Sequence, residues 1–359
     1  MDRDEFVQGG IAVLQWSEND GLAEIVANEL TCLGYRPVFM QLNSPIPDDT
    51  ATVLSYGPYG KLLSLVRKWD GLPVAQWPLL AHWNTEGLPD LRLPWPVMRA
   101  IASARSWVGR YREGAAGQGS PKSASRRLLA LADSRLLRFR WLGDYYYAAR
   151  KGILAVLADS SAIYTELRRA HGLPTLFAPW GSTPNWYADL QLERDIDVLW
   201  MGNRQDRRRR RILAQVRDEL KQHGVEIYMA DDEENPYIFG EERTQLLNRA
   251  KITLNVTRTW YDDNFSRFSL AAPNRSLVIS ETMLPHCPAY QPGVHYVESA
   301  PEELAGAILY YLRHADERAR IVESAYQLLT TELTFQNSIA AIMEAAEKVR
   351  KFHGLRRGC

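Results

Sequence analysis

Residues 197–211 read DVLWMGNRQDRRRRR, and residues 251–281 read KITLNVTRTWYDDNFSRFSLAAPNRSLVISE. In each stretch a short apolar run of strand length ends in a polar turn that opens a helix. Strand, turn and helix form the repeating unit of open α/β sheets, whose ligands bind outside the carboxyl ends of the strands. In the first stretch the turn is Gly202, Asn203 and Arg204. Glycine lets backbone N–H groups come close to a phosphate, a helix start adds a favourable dipole, and arginine grips phosphate through two N–H groups. The run Arg207–Arg211 has a blander reading: five consecutive helical residues point all round the axis, so the run is mainly a solvated face.

In the second stretch a strand delivers Asn255 and Arg258 to the sheet edge, Ser266 and Arg267 open a short helix, and the next strand ends at Glu281. Phosphate on that helix start with Arg267 or Arg258, and sugar or ribose hydroxyls on Glu281, fit these residue types. An ordinary surface loop with ion-paired arginines is the competing reading.

Outward from these stretches the same rhythm continues. Strands are expected at 196–201, 225–229, 252–256, 277–280 and 294–297, with helices at 208–223, 241–250 and 266–272. From Pro301 to about His353 the chain reads as helical, with a break at Thr334–Phe335. The first half alternates in the same way, with strands at 11–16, 37–42, 51–56, 74–80 and 153–158 and helices at 21–33, 61–69 and 161–171. Strands alternating with helices mean parallel sheets. The stretch Leu173–Tyr187 carries three prolines and a glycine and reads as a linker. The expected domains are 1–185, 186–335 and a helix, 336–359, packing back on the first. Residues 112–126, rich in Gly, Ser and basic residues, read as a loop.

At 359 residues the chain exceeds what one core usually supports, which agrees with two domains. Lys+Arg and Asp+Glu are both 43, so no whole-molecule field draws the protein to nucleic acid or anionic lipid. Three scattered cysteines suit a reducing, cytoplasmic setting, and the apolar run at 11–16 is too short for a signal-peptide core or a membrane span. The stretch Arg126–Lys151 mixes basic residues with Phe139, Trp141 and Tyr145–Tyr147. It suits either core packing with a solvated basic face or peripheral contact with a membrane or a nucleic-acid backbone.

A third polar cluster, AHWNTEGLPD at 81–90, follows an expected strand. His82 or Glu86 there suits proton removal from, or orientation of, a reacting hydroxyl, while a lone histidine after a strand is more often structural. The loop Ser17–Gly21 reads as a helix cap or as a contact for a bound sugar. No metal site is expected: the histidines form no ligand pair, and His286–Cys287 reads as loop structure beside prolines.

The second half, from about Asp195 to Ala346, resembles glycosyltransferases of the CgeB-like (spore maturation protein) kind and the broader group-1 glycosyltransferases. The resemblance rests on MGN at 201–203, KITLN at 251–255, RFSLAAPN at 267–274 and VISE at 278–281, followed in order by PGVHYVES and EELAGAILYYL. It implies an α/β GT-B fold: two Rossmann-like doubly wound domains facing across a cleft, with C-terminal helices. It further implies a nucleotide-diphosphate sugar donor in the C-terminal domain, with UDP-sugar the first guess, and an acceptor in the N-terminal domain. No obligatory cofactor or metal is implied, and the anomeric configuration is retained. On that reading the chain is a hexosyltransferase in which Gly202, Asn203, Arg204, Arg258, Ser266 and Arg267 meet the donor. Glu281 holds ribose or sugar hydroxyls, and Glu86 faces the acceptor. Arg267→Ala is expected to weaken nucleotide binding far more than Arg209→Ala. Where such families commonly carry glutamate after the arginine-phenylalanine pair, this chain has Ser269, and the acid of the related group-1 motif is absent near Tyr261. Those departures keep two alternatives open, a GT-B-shaped binding or assembly protein without turnover and a nucleotide-sugar epimerase.

Overall fold

The computed structural model describes residues 10–17, 20–57, 62–70, 72–115, 134–262, 266–283 and 287–357. Two compact units divide the chain: residues 1–178 together with 339–359, and residues 179–338.

The first unit is built on six parallel strands, β1 (Gly10–Gln15), β2 (Pro37–Gln41), β3 (Thr50–Tyr56), β4 (Leu79–Asn84), β5 (Leu154–Asp159) and β6 (Thr175–Phe177), in the order β2-β1-β3-β4-β5-β6. The central strands are buried along nearly their whole length, as a parallel sheet covered on both faces requires. Helices α1 (Gly21–Cys32), α2 (Leu62–Asp70), α3 (Trp95–Ala115), α4 (Ser134–Arg150) and α5 (Ala162–Ala170) connect them. Two local departures from the sequence reading matter. The strand expected at 74–80 is a 3₁₀ turn at Val74–Gln76 followed by β4, because Pro78 has no N–H for a ladder and defers pairing to Leu79. His82 therefore lies inside a strand rather than after one. Helix α3, unanticipated in the sequence, begins with Pro96 in its first turn, where a missing N–H costs nothing.

Helix α4 packs directly on α3: a Cβ at Gly143 would stand 2.1 Å from the Ala102 carbonyl oxygen, so only glycine permits that approach. Phe139, Tyr145 and Tyr146 of α4 are buried in the core with Leu142. From residue 134 onward, the aromatics of the basic-aromatic stretch thus serve mainly as core, and Tyr147 is covered by the guanidinium of Arg110 at 4.1 Å. Residues 126–133 of that stretch, and nearly all of the loop expected at 112–126, lie outside the described residues. The end of the chain is held in this unit by Tyr35, whose hydroxyl donates to Glu347 at 3.2 Å; burial and that carboxylate push Tyr35 up to about 12.

The second unit carries five parallel strands, β7 (Ile196–Met201), β8 (Ile227–Ala230), β9 (Ala250–Asn255), β10 (Leu277–Glu281) and β11 (Val297–Ser299), in the order β11-β10-β9-β7-β8. Helices α6 (Arg207–Lys221), α7 (Gly240–Arg249), α8 (Ser266–Ala271), α9 (Leu304–Arg313) and α10 (Ala315–Thr331) surround it, and α11 (Phe335–Arg357) begins within it. The break expected at Thr334–Phe335 falls between α10 and α11. There Phe335 N–H donates to Ser182 at 2.7 Å, and its ring meets Trp180 and Trp186 edge-on at 4.6 and 4.9 Å.

Both sheets reverse direction beside their first strand: β1 lies between β2 and β3, and β7 between β8 and β9. In open α/β sheets such a switch point leaves a crevice outside the carboxyl ends of the two diverging strands, and ligands bind there. In the second unit those ends are Met201–Gly202 and Asn255–Val256.

Candidate functional site

At that switch point the second unit buries two arginines. Arg267, at the start of α8, is 7% exposed; its Nε donates to the Met201 carbonyl and its Nη1 to Asn255 Oδ1, both at 2.8 Å. Asn255 is oriented by its own donation to Ser280 Oγ at 2.9 Å. Arg209, from the first turn of α6, is 5% exposed and donates to the Val256 carbonyl at 3.0 Å and the Asn203 carbonyl at 3.2 Å. Both guanidiniums lie over the buried Trp200 ring, at 4.2 and 5.4 Å from its centroid, which supplies cation–π attraction. Their other direct partners are neutral, and among the described residues neither forms an ion pair. Burial, then the Arg209 charge, lowers Arg267 to about 9; burial, then the Arg258 charge, lowers Arg209 to about 10. Among the described residues both guanidiniums hydrogen-bond only to neutral partners, although Asp262, Asp206 and Glu281 act on Arg209 through space, and two buried like charges of this kind suit an anion.

Gly202 belongs to this cluster. Its φ of +131° and the approach of Arg267 both depend on the missing side chain. Its carbonyl accepts from Trp200 Nε1 at 2.7 Å, which fixes the ring beneath the guanidiniums.

The arginine run is therefore not a uniform solvated face. Arg207, Arg210 and Arg211 are exposed, but Arg209 heads the buried stripe of α6 that continues through Ile212, Leu213, Val216 and Leu220. The spacing 209, 212, 213, 216, 220 is helical, a signal that the reading of the run as a solvated face passed over. Arg208, half-buried, pairs with the buried Glu281: its Nη1 reaches Glu281 Oε1 at 2.9 Å, and Nη2 pairs with Oε2. Hydrogen bonding to Glu281 raises Arg208 above its ordinary value. Glu281 Oε1 also accepts from Thr257 N–H at 2.5 Å and from its hydroxyl at 2.9 Å. The Glu281 carboxylate is thus engaged by the protein's own donors.

The other donor-side residues are distributed around this centre. Arg204 turns to the acidic loop after β8, pairing with the buried Asp231, with Glu234 at 3.0 Å and with Glu233 at 3.3 Å. Asn203 is exposed and enters through its carbonyl. Arg258 lies 3.3 Å from Asp262. Ser266 is the exposed first residue of α8. Asp206 caps α6 by accepting from Arg208 and Arg209 N–H, so that helix start is satisfied internally. Ser269 is fully buried and its hydroxyl donates to the Trp180 carbonyl. Tyr261 is buried.

In the first unit, the carboxyl ends of β4 and β5 hold a polar network. Glu86 accepts from Arg138 at 3.0 Å, with its carboxylate partly exposed. Asn84 donates to the Glu86 carbonyl at 2.7 Å and to Asp159 at 3.1 Å, and Asp159 pairs with the buried Arg168. Tyr145 donates to Asn84 at 2.8 Å. His82 shares a hydrogen bond with Ser55 at 2.8 Å; burial, then the Arg168 charge, lowers its pKa to about 3. It is a neutral, satisfied core histidine at ordinary pH. In the Ser17–Gly21 loop, Asp20 caps α1 by accepting from Leu22 and Ala23 N–H, and Tyr56 donates to it at 2.6 Å; Glu18 and Asn19 lie outside the described residues.

A cavity of about 1080 Å³ in the first unit opens between Asn43, Asp48, Lys68, Trp77 and Arg350, at the amino ends of β3 and β4. It lies at the sheet edge opposite the strand ends where α/β folds place ligands. Among the described residues no group of three His, Cys, Asp or Glu could hold a metal ion, and no helix is long and apolar enough to cross a membrane.

Two doubly wound α/β units, with a buried cationic cluster at the second switch point, define the class: the fold is that of the GT-B glycosyltransferases. Residues 204–344, within and just beyond the second unit, match the family described as glycosyl transferase-like. Anabaena HepE, solved with UDP and glucose, aligns over 96% of this chain and 99% of its own at 10% identity and a TM-score of 0.55. Sucrose-phosphate synthase from Thermosynechococcus elongatus aligns over 98% and 100%, with 10% identity and a TM-score of 0.55. A glycosyltransferase from Rickettsia africae aligns over 96% and 99%, with 11% identity and a TM-score of 0.51. Comparison with curated proteins finds no match.

Proposed function

We propose that the chain transfers a sugar from a nucleoside-diphosphate sugar to an acceptor hydroxyl. The observation that carries this reading is the pair Arg209 and Arg267, buried at the β7/β9 switch point and, among the described residues, in no ion pair. In the reaction the bond from the sugar's anomeric carbon to the diphosphate oxygen breaks, and the diphosphate leaves with the electron pair. The acceptor oxygen bonds to the same carbon and loses its proton. Arg209 and Arg267, fixed by carbonyls and by Trp200, stabilise the charge that develops on the leaving group, as preorganised cations do.

Glu281, engaged by Arg208 and Thr257, acts as a positioning residue for the α6 start and the 257 turn. Glu86, held by Arg138 with part of its carboxylate in solvent, is the acceptor-side candidate for taking the proton. Retention of configuration and independence of metal are what the resemblance implies; anomeric coupling constants of the product and assays with chelator test them. Because the Anabaena relative is solved with UDP and glucose, UDP-glucose is the first donor to try.

Calorimetric titration with nucleoside diphosphates and their glucose conjugates, paired with donor-hydrolysis and transfer assays, tests the reading. Nucleotide binding with turnover supports it, and no binding by any nucleotide overturns it. Within an active enzyme, Glu86→Gln should lower turnover with little change in donor affinity. One observation favours a binding protein without turnover: Ser269, in place of the family's glutamate, is buried and committed to the Trp180 carbonyl. Tight nucleotide binding without hydrolysis or transfer would decide for that alternative.

A further inference from the structure

We infer that Trp260 is the platform on which a sugar ring stacks at this site, an inference that rests on the nucleotide-sugar reading above. A glucose-type pyranose presents a face of C–H groups, apolar and slightly positive at hydrogen, that complements the negative face of an indole. A single exposed aromatic ring carries no meaning by itself. What distinguishes Trp260 is how firmly its turn is built and where the turn stands.

The indole is 51% exposed although the segment bearing it is tied down on both sides. Thr257 Oγ1 and Asp262 N–H both donate to the Thr259 carbonyl, at 2.8 and 3.0 Å, and close the turn. Arg258 and Asp262 pair across it at 3.3 Å. Its root is held by Glu281, which accepts from Thr257, and by Arg208, which donates to the Thr257 carbonyl at 3.0 Å. Beneath the indole the ring of Tyr261 is buried and meets it edge-on, with centroids 5.2 Å apart at 88°. The turn that carries the ring is already closed by these bonds, so ligand stacking there orders less of the chain and contact is favoured by preorganisation.

The turn also has the right address. It leaves the carboxyl end of β9 directly after Val256, whose carbonyl holds Arg209. Arg258, next to Thr257, acts electrostatically on both Arg209 and Arg267. The turn that bears the ring therefore starts at the strand end that holds Arg209, on the side of the sheet where the group beyond a bound diphosphate would be a sugar. The ring chemistry is shared by a donor sugar and by an acceptor glycoside.

Titrations of the full chain with UDP, GDP and ADP and their glucose conjugates, then with methyl glucoside at saturating nucleotide, test this in wild type, Trp260→Ala and Trp260→Phe. Trp260→Ala should leave the diphosphate affinity within about twofold while weakening a sugar-bearing ligand about tenfold, with Trp260→Phe between. Weakening confined to the glucose conjugate assigns the donor sugar, and weakening confined to the glucoside assigns the acceptor. Unchanged affinity for both, or equal weakening of the bare diphosphate, overturns the stacking role while leaving the nucleotide-sugar reading intact. Failure of wild type to bind any nucleotide instead removes the underlying reading.

Discussion

The guanidinium of Arg267 lies against the open face of Gly202, so that a methyl group placed there would stand 2.5 Å from Arg267 Nη2. Arg267 cannot swing aside freely, because Met201 and Asn255 hold its other nitrogens. The backbone φ of +131° adds strain of about 1–3 kcal/mol for any side chain. Gly202→Ala should therefore lower the urea midpoint and also move the arginine that the anion needs. Nucleotide affinity that survives in a folded Gly202→Ala protein would argue against Arg267 as an anion ligand.

The arginine run supplies its own control. Charge-assisted hydrogen bonds to phosphate contribute about 1.5–3 kcal/mol each, so Arg209→Ala and Arg267→Ala should each weaken the nucleotide roughly tenfold to a hundredfold. Arg211, exposed two positions along the same helix, should tolerate alanine with no more than about twofold change. This replaces the expectation that Arg209 matters far less than Arg267. Titration at two salt concentrations adds a second readout, since wild-type affinity for the anion should fall with salt more steeply than that of either buried-site variant.

Legibility in the sequence divided along physical lines. The strands β7, β9 and β10 announced themselves because parallel strands covered on both faces are rich in Ile, Val and Leu, and the turn at Gly202 followed from its glycine. Arg204 and Arg209 were harder to separate, since both are arginines five residues apart near one helix start. Their fates were set by tertiary partners: the loop at Asp231 claims Arg204, whereas the helical stripe carries Arg209 inward. Glu281 was found as a strand-end acid, but its engagement by Arg208 and Thr257 depends on three elements meeting in space. Helix α3 escaped notice because Pro94 and Pro96 bracket its first residue, Trp95, and prolines read first as a break.

His82 makes the first unit sensitive to acid. Its folded pKa, about 3, lies below the ordinary value of 6.5, so the unfolded chain binds the extra proton first. The favourable contribution of the neutral imidazole is full above about pH 6.5 and is lost as the pH falls from there toward 3, at up to about 1.4 kcal/mol per unit. Urea unfolding at pH 7 and pH 5 should then show a drop in wild type exceeding that in His82→Gln by about 2 kcal/mol. Equal drops would mean that the histidine is not held neutral in the folded protein.

The Arg208–Glu281 pair should behave as one unit. Glu281 is 1% exposed on its side chain and Arg208 32%, so removing the arginine leaves a buried carboxylate supported by the N–H and hydroxyl of Thr257. Breaking such a pair from one side costs about 3 kcal/mol, and water reaching Arg208 favours the lower part of that range. Arg208→Met should consequently destabilise the second unit more than Arg208→Met combined with Glu281→Gln, because the double variant no longer buries an uncompensated charge. A double-mutant cycle by urea unfolding measures the coupling directly. Additive single effects would show that Glu281 is held by Thr257 alone, and the positioning role given to this pair would then fall to the turn at Thr257.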